Sequence, residues 1–169
     1  MMRIYKKQVK AILKLITSFP CQSRPALKTM RLKRDGFAYI TNGYMAVRFE
    51  LEIKPVPKDD NQTEFIIPAE NLEKWYKTAK SSDYLDEVSI LALQDTEDST
   101  VYPDIAQVIK LHLMSNLSNK DIYIDESLLK LFTGIVNDES ILIKHYDKCV
   151  LVKSLKNPEI DGVIMELNK

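Results

Sequence analysis

The stretch TMRLKRDGFAYITNGYMAVRFELE, residues 29–52, alternates apolar and polar side chains with a period of two. Two turn dipeptides, Asp35-Gly36 and Asn42-Gly43, interrupt the alternation. Such dipeptides between alternating segments are the strongest short-range signal of a β-hairpin. The stretch therefore predicts a three-stranded antiparallel meander, and one of its faces must pack against helices.

One helix before the meander and two after it are predicted from apolar residues at i, i+3, i+4 and i+7. They cover about 5–18, 69–80 and 126–135, and the buried stripe of the second is predicted at Leu72, Trp75, Tyr76 and Ala79. Further strands are predicted at 65–68, 88–93, 121–124, 141–146, 149–155 and 162–167, with a turn and a short helical or extended connector at 102–109. The chain lacks the crossover lengths and the glycine-rich loop of a doubly wound fold. We therefore expect an α+β fold of antiparallel sheets with the helices packed on one side.

The chain has 169 residues, and 45% of them are apolar, which is enough for a real core in one or at most two domains. The first unit, residues 1–100, holds a helix, the meander and a strand-helix-strand segment. Residues 101–169 hold a further strand-helix-strand unit, and the two parts form either separate units or one continuous domain.

The formal net charge of zero hides an asymmetry along the chain. Residues 1–54 hold twelve Lys and Arg against three acids, a net of +9, whereas residues 55–169 have a net of −9. A segment with so large a net positive charge either contacts a polyanion or pairs with an acidic part of its own chain or of another copy. Nucleic acid is the favoured partner, because the basic residues also align on one helix.

The basic residues of the first helix form a narrow ridge. At about 100° per residue, Arg3, Lys7, Lys10 and Lys14 fall within about 60° of one another, with Lys6 beside them. The opposite side is apolar, so the helix is amphipathic. Such a ridge indicates a phosphate-binding surface, an ordinary solvated face or a membrane surface; the absence of Trp from the apolar side disfavours the membrane.

Residues suited to catalysis or metal binding lack their usual spacing. His112 and His145 belong to no metal-binding pattern, and Cys21 and Cys149 have no His or Cys beside them. The acids Asp95, Glu97 and Asp98 could bind a divalent cation, but acidic loops of this kind are usually only solvated. We therefore expect no enzymatic activity, no metal and no cofactor.

The expected location is the cytoplasm. No apolar run approaches the roughly 18 residues that span a bilayer, and no apolar stretch follows the basic start. Two cysteines are too few for a disulfide scaffold, which favours a reducing compartment.

Four segments resemble, in the same order, motifs of the bacterial DNA sliding clamp, the beta subunit of DNA polymerase III. Residues 32–47, LKRDGFAYITNGYMAV, resemble its hairpins with the pattern A-T-D-G-H-R-L-A. Residues 65–72, FIIPAENL, resemble its strand-to-helix step, and residues 102–109, YPDIAQVI, resemble its domain junction. Residues 162–167, GVIMEL, resemble its C-terminal strand.

The resemblance implies a non-catalytic protein that closes a ring around duplex DNA, with basic helices inside and sheets outside. Such a lining holds DNA by charge without reading bases. Copies of the chain would meet head to tail as a homo-oligomer. The residues expected to contact DNA are Arg3, Lys6, Lys7, Lys10, Lys14, Lys74 and Lys77.

The resemblance also implies a cleft that receives a short apolar peptide from replication proteins. Residue by residue, this cleft corresponds to Thr41, Gly43, Tyr44, Ala46, Pro68, Leu72, Val163, Met165 and Leu167. Asn42, Tyr44 and Glu166 stand where the family has Asp, His and Pro.

The alternative function is a clamp-fold interaction module that forms no ring, such as a phage or mobile-element protein that binds replication or recombination partners. A composition rich in Lys, Ile and Asn is compatible with a bacterium or its phage. The absolute mass in solution would separate the alternatives, because a ring needs several copies of so short a chain.

Overall fold

A computed structural model describes residues 2–18, 21, 23–54, 63–95, 101–113, 117 and 123–166. The helices in these ranges are α1 (Lys6–Ile16), α2 (Ala69–Thr78), α3 (Glu87–Leu93), α4 (Ile105–Leu113) and α5 (Glu126–Val136). The strands are β1 (Thr29–Lys33), β2 (Phe37–Thr41), β3 (Met45–Glu50), β4 (Glu64–Pro68), β5 (Ile141–Tyr146), β6 (Cys149–Ser154) and β7 (Asp161–Met165). The predicted α+β class is confirmed.

The strands form one sheet in the order β4-β1-β2-β3-β7-β6-β5, and neighbouring strands are antiparallel. The predicted meander forms its centre. Gly36 and Gly43 have φ of +93° and +90°, a left-handed conformation that favours glycine and lets both hairpins turn tightly. The Asn42 side-chain oxygen accepts the N–H groups of Tyr44 and Met45 at 3.0 and 2.8 Å, which fixes the second turn.

The sheet joins the two predicted units through β3 and β7. Met45 pairs with Ile164, and Ala46 pairs with Val163. The predicted boundary near residue 100 lies outside the described residues. Strands from both sides of that boundary therefore share one hydrogen-bonded sheet.

Helices α1, α2 and α5 cover one side of the sheet, which we call the inner face. The apolar side of the meander, with Met45, Val47 and Phe49, joins one buried cluster with residues of all three helices. Phe132 of α5 is fully buried there, above Gly162 of β7. The predicted packing of three helices on one side is confirmed.

Residues 87–93 form helix α3, and the strand predicted at 88–93 is wrong. The Asp86 side chain accepts the Ser89 N–H at 2.7 Å, which caps the start of the helix. A short apolar run fits a strand or a helix equally well, and the cap favours the helix. Of the strand predicted at 121–124, residues 121 and 122 lie outside the description, and Tyr123 and Ile124 are not in a strand.

The buried stripe predicted on α2 is only partly correct. Leu72 is fully buried, whereas Trp75, Tyr76 and Ala79 are half-buried. The helix packs over the edge strand β4 and beside α1, so only its first turns lie above the core. Leu72 therefore anchors α2.

The buried carboxylate of Asp138 ties the end of α5 to the turn after β6. It accepts the backbone N–H groups of Ser140 and Lys156 at 2.9 and 3.0 Å, and the Ser154 hydroxyl at 2.7 Å. These hydrogen bonds, the one from Lys156 above all, lower the pKa of Asp138 to about 2.

We expect the stabilisation by Asp138 to depend on pH. Because its folded pKa lies below the ordinary value, the contribution is complete above about pH 4 and disappears as the pH falls towards about 2. The difference in unfolding free energy between the parent and Asp138→Asn should therefore shrink over that interval. Urea unfolding at several pH values measures it, and a difference that stays constant down to about pH 2.5 would contradict this assignment.

Candidate functional site

A groove runs between α1 and α5, and small residues set its depth. A Cβ atom built on Gly134 would lie 3.1 Å from the Cβ of Ala11, so the two helices touch closely at this point. The buried side chain of Gln8 donates from Nε2 to the Ile135 carbonyl at 2.9 Å. This contact and the small residues hold the helices in a fixed relative position.

The rim of this groove is basic. Lys7, Lys10 and Lys14 of α1 line it together with Lys130 of α5, and all four side chains are exposed. We call these four lysines and the surface between them the cationic groove. Sequence reasoning missed Lys130, although its position on the polar side of the third predicted helix was a usable signal.

The opposite side of α1 determines where these lysines point. Val9, Ile12 and Ile16 are fully buried in the inner core. Because the helix has 3.6 residues per turn, burying that stripe directs Lys10 and Lys14 to solvent. The predicted amphipathic helix is therefore formed, over Lys6–Ile16 and not over the full 5–18.

The lysines of α1 in the groove have no acidic partner among the described residues. Lys7, Lys10 and Lys14 take part in none of the ion pairs there. Lys130 pairs with Glu126 at 2.8 Å, but both side chains are more than 70% exposed, so water screens that pair strongly. The groove thus presents a net positive surface.

The other basic residues predicted to contact DNA lie outside this groove. Arg3 pairs with Glu52, and Lys6 donates to the Ala79 carbonyl at 2.5 Å. Lys77 pairs with Glu73 at 2.9 Å on the exposed side of α2, where Lys74 also lies. The structure brings together Lys7, Lys10 and Lys14 only; a DNA contact by any of the seven stays a prediction.

Four of the predicted cleft residues lie in one line across the outer face, the side opposite α1. Pro68 pairs with Thr29, Thr41 pairs with Ala46, and Ala46 pairs with Val163. The register of β1 and β2, set by Arg31 opposite Tyr39, places Thr29 beside Thr41. We call Pro68, Thr29, Thr41, Ala46 and Val163 the outer-face row.

Three more predicted cleft residues lie beside this row, in the turn between β2 and β3 and at the end of β7. Met165 is two residues beyond Val163 on the same strand face, and its N–H donates to the Tyr44 carbonyl at 2.8 Å. The Thr41 hydroxyl accepts the N–H of Gly43 at 3.0 Å. Tyr44 is 52% exposed. The structure therefore brings seven of the nine residues together on or beside the row.

The last two predicted cleft residues are not part of this group. Leu72 is fully buried in the inner core, on the other side of the sheet. Leu167 lies outside the described residues. The assignment of a peptide cleft to these positions stays a prediction.

The segment from Tyr102 to Ile109 covers part of the outer-face row, at Ala46 and Val163. Ile105 and Ile109 are buried in one cluster with Ala46 and Val163. Tyr102 donates to the Tyr39 carbonyl at 3.4 Å. The connector predicted at 102–109 is thus a turn followed by a helix, and it packs on the outer face.

Of the side chains considered for catalysis, the structure describes both cysteines, which are buried, and His145. Burial raises the pKa of the Cys149 thiol to about 11 and also raises that of Cys21, so both thiols stay protonated near neutral pH. His145 is exposed on β5. The side chain of His112 and the acids Glu97 and Asp98 lie outside the description, and within it no group of three or more His, Cys, Asp or Glu residues could hold a metal ion.

Within the described ranges, no helix has the length and apolar character that a bilayer crossing requires.

Solved structures of bacterial clamps are similar to this chain in fold. The DNA polymerase sliding clamp of Pseudomonas aeruginosa superposes with a TM-score of 0.63 at 15% identity, over 99% of this chain and 66% of that one. The DNA polymerase III subunit beta of Borrelia burgdorferi gives 0.59 at 12% identity, over 99% and 64%. The Helicobacter pylori beta clamp bound to a DNA ligase peptide gives 0.61 at 10% identity, over 99% and 65%.

The likeness is one of structure and not of sequence. No protein-family model and no curated protein matches the chain. The chain spans slightly less than two thirds of the length of these clamps. With nearly all of its residues superposed on them, the chain has the fold of the bacterial DNA sliding clamp.

Proposed function

We propose that this protein is a non-catalytic, clamp-like protein that binds duplex DNA without sequence preference. The cationic groove is the observation that carries the proposal. Its lysines come from two helices on the side of the sheet where clamps place their DNA-facing helices. Lysine is a flexible point charge suited to phosphate, and the described residues that line the groove include no planar amide or guanidinium for reading bases.

The proposal includes assembly of several copies along or around the DNA. Lys7 and Lys14 are seven residues apart on α1, so the ridge is about 10 Å long. Only a few phosphates lie within that length, because duplex DNA carries one charge per about 1.7 Å of its axis. A single chain would bind weakly and release in moderate salt, whereas a homo-oligomer would multiply the contacts.

The proposed partners are replication proteins in the cytoplasm. The outer-face row faces away from the cationic groove, so a protein bound there would not compete with DNA. The H. pylori beta clamp, a structural neighbour, is bound to a DNA ligase peptide, which supports a role in binding partner peptides.

Retention on circular DNA tests the proposal. The protein is loaded at low salt on a nicked circle and on the same DNA after linearisation, and both are then challenged with about 0.5 M NaCl. A ring should remain on the circle and leave the linear form, because salt weakens charge contacts but does not open a ring. If the protein binds at low salt but is released equally from both DNA forms, it binds DNA without closing a ring. No binding at low salt would favour the non-ring interaction module.

A further inference from the structure

The sheet ends on one side in an open strand edge at β5. Within the described part of the chain, only Leu117 pairs with this edge, in an isolated bridge at Tyr146. Leu142 and Ile143 are 39% and 38% exposed, and they point to opposite faces of the sheet. The edge over residues 141–144 therefore presents its backbone between exposed aliphatic side chains.

The hydrogen bonds of the β5-β6 hairpin determine which backbone groups face this edge. The Leu155 N–H donates to the Ser140 carbonyl at 3.1 Å, just before the first residue of β5. Because hydrogen-bonded pairs alternate along an antiparallel ladder, the even-numbered residues of β5 bond to β6. The N–H and C=O groups of Ile141 and Ile143 therefore point to the open edge.

The other edge of the sheet, β4, is protected. The Asp95 N–H donates to the Ile66 carbonyl at 2.7 Å, and Pro68 at the end of the strand has no N–H to donate. Helix α3 also packs against β4. Natural proteins protect edge strands with devices of this kind. Of the two edges, β5 is the open one, so strand pairing between copies of the chain has to join β5 to β5.

The residues of β5 are complementary to themselves in one antiparallel register. With Leu142 on a two-fold axis, the Leu142 side chains of the two copies meet, and Ile141 lies opposite Ile143 of the second copy. The next two pairs bring no like charges together: Ser140 with Lys144, and Glu139 with His145. Aliphatic residues are thus opposite aliphatic residues at the centre of the contact.

The neighbouring registers are less favourable. Moving the axis to Ile143 places Glu139 opposite Asp147, and moving it to Lys144 places that lysine opposite itself. Like charges directly opposite each other destabilise a strand pair. Moving the axis to Ile141 leaves Ile143 opposite Glu139. The charges and the aliphatic residues of β5 therefore favour the axis at Leu142.

We propose that two copies of the chain pair through β5 about a two-fold axis at Leu142, so that their sheets join into one. The axis between two antiparallel strands is perpendicular to the sheet, and the helices of both copies then lie on the same side. The two cationic grooves face the same way and offer two contacts along a duplex; this consequence rests on the proposed function, whereas the dimer does not. The contact joins two copies along DNA and closes no ring by itself.

Cysteine cross-linking tests the register. The thiols introduced by Leu142→Cys lie at a non-hydrogen-bonded pair whose Cα atoms are about 4.5 Å apart, a separation that a disulfide spans. Those of the matched control Lys144→Cys are about 13 Å apart along the strands. With oxidised glutathione, Leu142→Cys should form about tenfold or more covalent dimer than Lys144→Cys on a non-reducing gel. Cys21 and Cys149 are buried, so they should not compete.

Mass in solution tests the pairing itself. At about 0.1 mM the parent should have a mass near twice 19.5 kDa in sedimentation equilibrium. Ile143→Pro removes an N–H that faces the open edge and leaves the bonds to β6, so it should raise the dimer dissociation constant about tenfold or more. Val88→Ser changes an exposed residue of α3 and should dimerise like the parent.

Either of two results would overturn the proposal: a monomeric parent at that concentration, or cross-linking of Lys144→Cys equal to that of Leu142→Cys. If Ile143→Pro does not fold, the cross-linking pair decides, because both of its changes are at exposed side chains. Neither experiment contains DNA. Failure of the dimer would therefore leave DNA binding by single chains intact, and a dimer that binds no DNA would leave this inference intact.

Discussion

Replacing Phe132 by alanine should lower the unfolding free energy by about 3–5 kcal/mol. The side chain is fully buried on the inner face, where it joins α5 to the sheet. Its ring fills the space left by Gly162, since a Cβ atom at that position would lie 3.1 Å from the ring and 2.9 Å from the Ala46 carbonyl oxygen. Truncation would leave a cavity that the neighbouring backbone cannot fill. Chemical unfolding followed by circular dichroism measures the loss.

Two further variants make this prediction specific. Lys130→Ala changes an exposed residue of the same helix and should alter stability by no more than about 0.5 kcal/mol. As a single change, Gly162→Ala should destabilise the protein. It should destabilise the Phe132→Ala variant by less, because the ring that the new Cβ atom would contact is then absent. A Phe132→Ala protein that unfolds with the parent would show that α5 is not packed over β7.

Local chemistry explains why much of the fold could be predicted. The meander needs two residues with positive φ, and both are glycines in turn dipeptides that the sequence displays. The apolar side of α1 repeats with the helical period, and its buried residues follow that period. In both cases the residues that determine the local structure lie within a few positions of one another in the sequence.

The features that were missed or predicted wrongly depend on a distant contact or involve a helix cap. The pairing of β3 with β7 joins Met45 to Ile164, and no local pattern specifies that neighbour. The segment at 88–93 is a helix that Asp86 caps and whose Ile90 packs in the core, although its apolar residues fit a strand as well. Trp75 is half-buried because α2 lies over an edge strand, a position that periodicity does not report.

The candidate site shows the same division between local and distant information. Lys7, Lys10 and Lys14 could be grouped from helical periodicity alone, whereas Lys130 joins them only through the packing of α5 against α1. The cleft residues were grouped by resemblance, and strand register places four of the nine, Pro68, Thr41, Ala46 and Val163, in one row. The cover by Ile105 and Ile109 could not be predicted, because it depends on which face of the sheet the connector crosses.

Reversing the charge of the three α1 lysines in the cationic groove should strongly weaken DNA binding. The triple variant Lys7→Glu/Lys10→Glu/Lys14→Glu replaces three exposed lysines that have no acidic partner in the described structure, so its fold and melting temperature should be retained. Affinity for a random-sequence duplex should fall about 100-fold or more at about 0.1 M salt. Each lost phosphate contact should also reduce the slope of log K against log salt by about 0.9.

A control variant with the same net charge shows whether the loss of DNA affinity comes from the groove lysines themselves or only from the change in net charge. Lys110, Lys144 and Lys148 are exposed on α4, on β5 and on the turn after it, away from the groove, and their change to glutamate alters the net charge equally. Because charges more than about 10 Å apart are largely screened at 0.1 M salt, this variant should keep most of the parent's affinity. Equal losses in both variants would mean that net charge alone attracts the DNA. Unchanged binding by the groove variant would show that the lysines of α1 are an ordinary solvated face, and that the fold serves as a protein-interaction module.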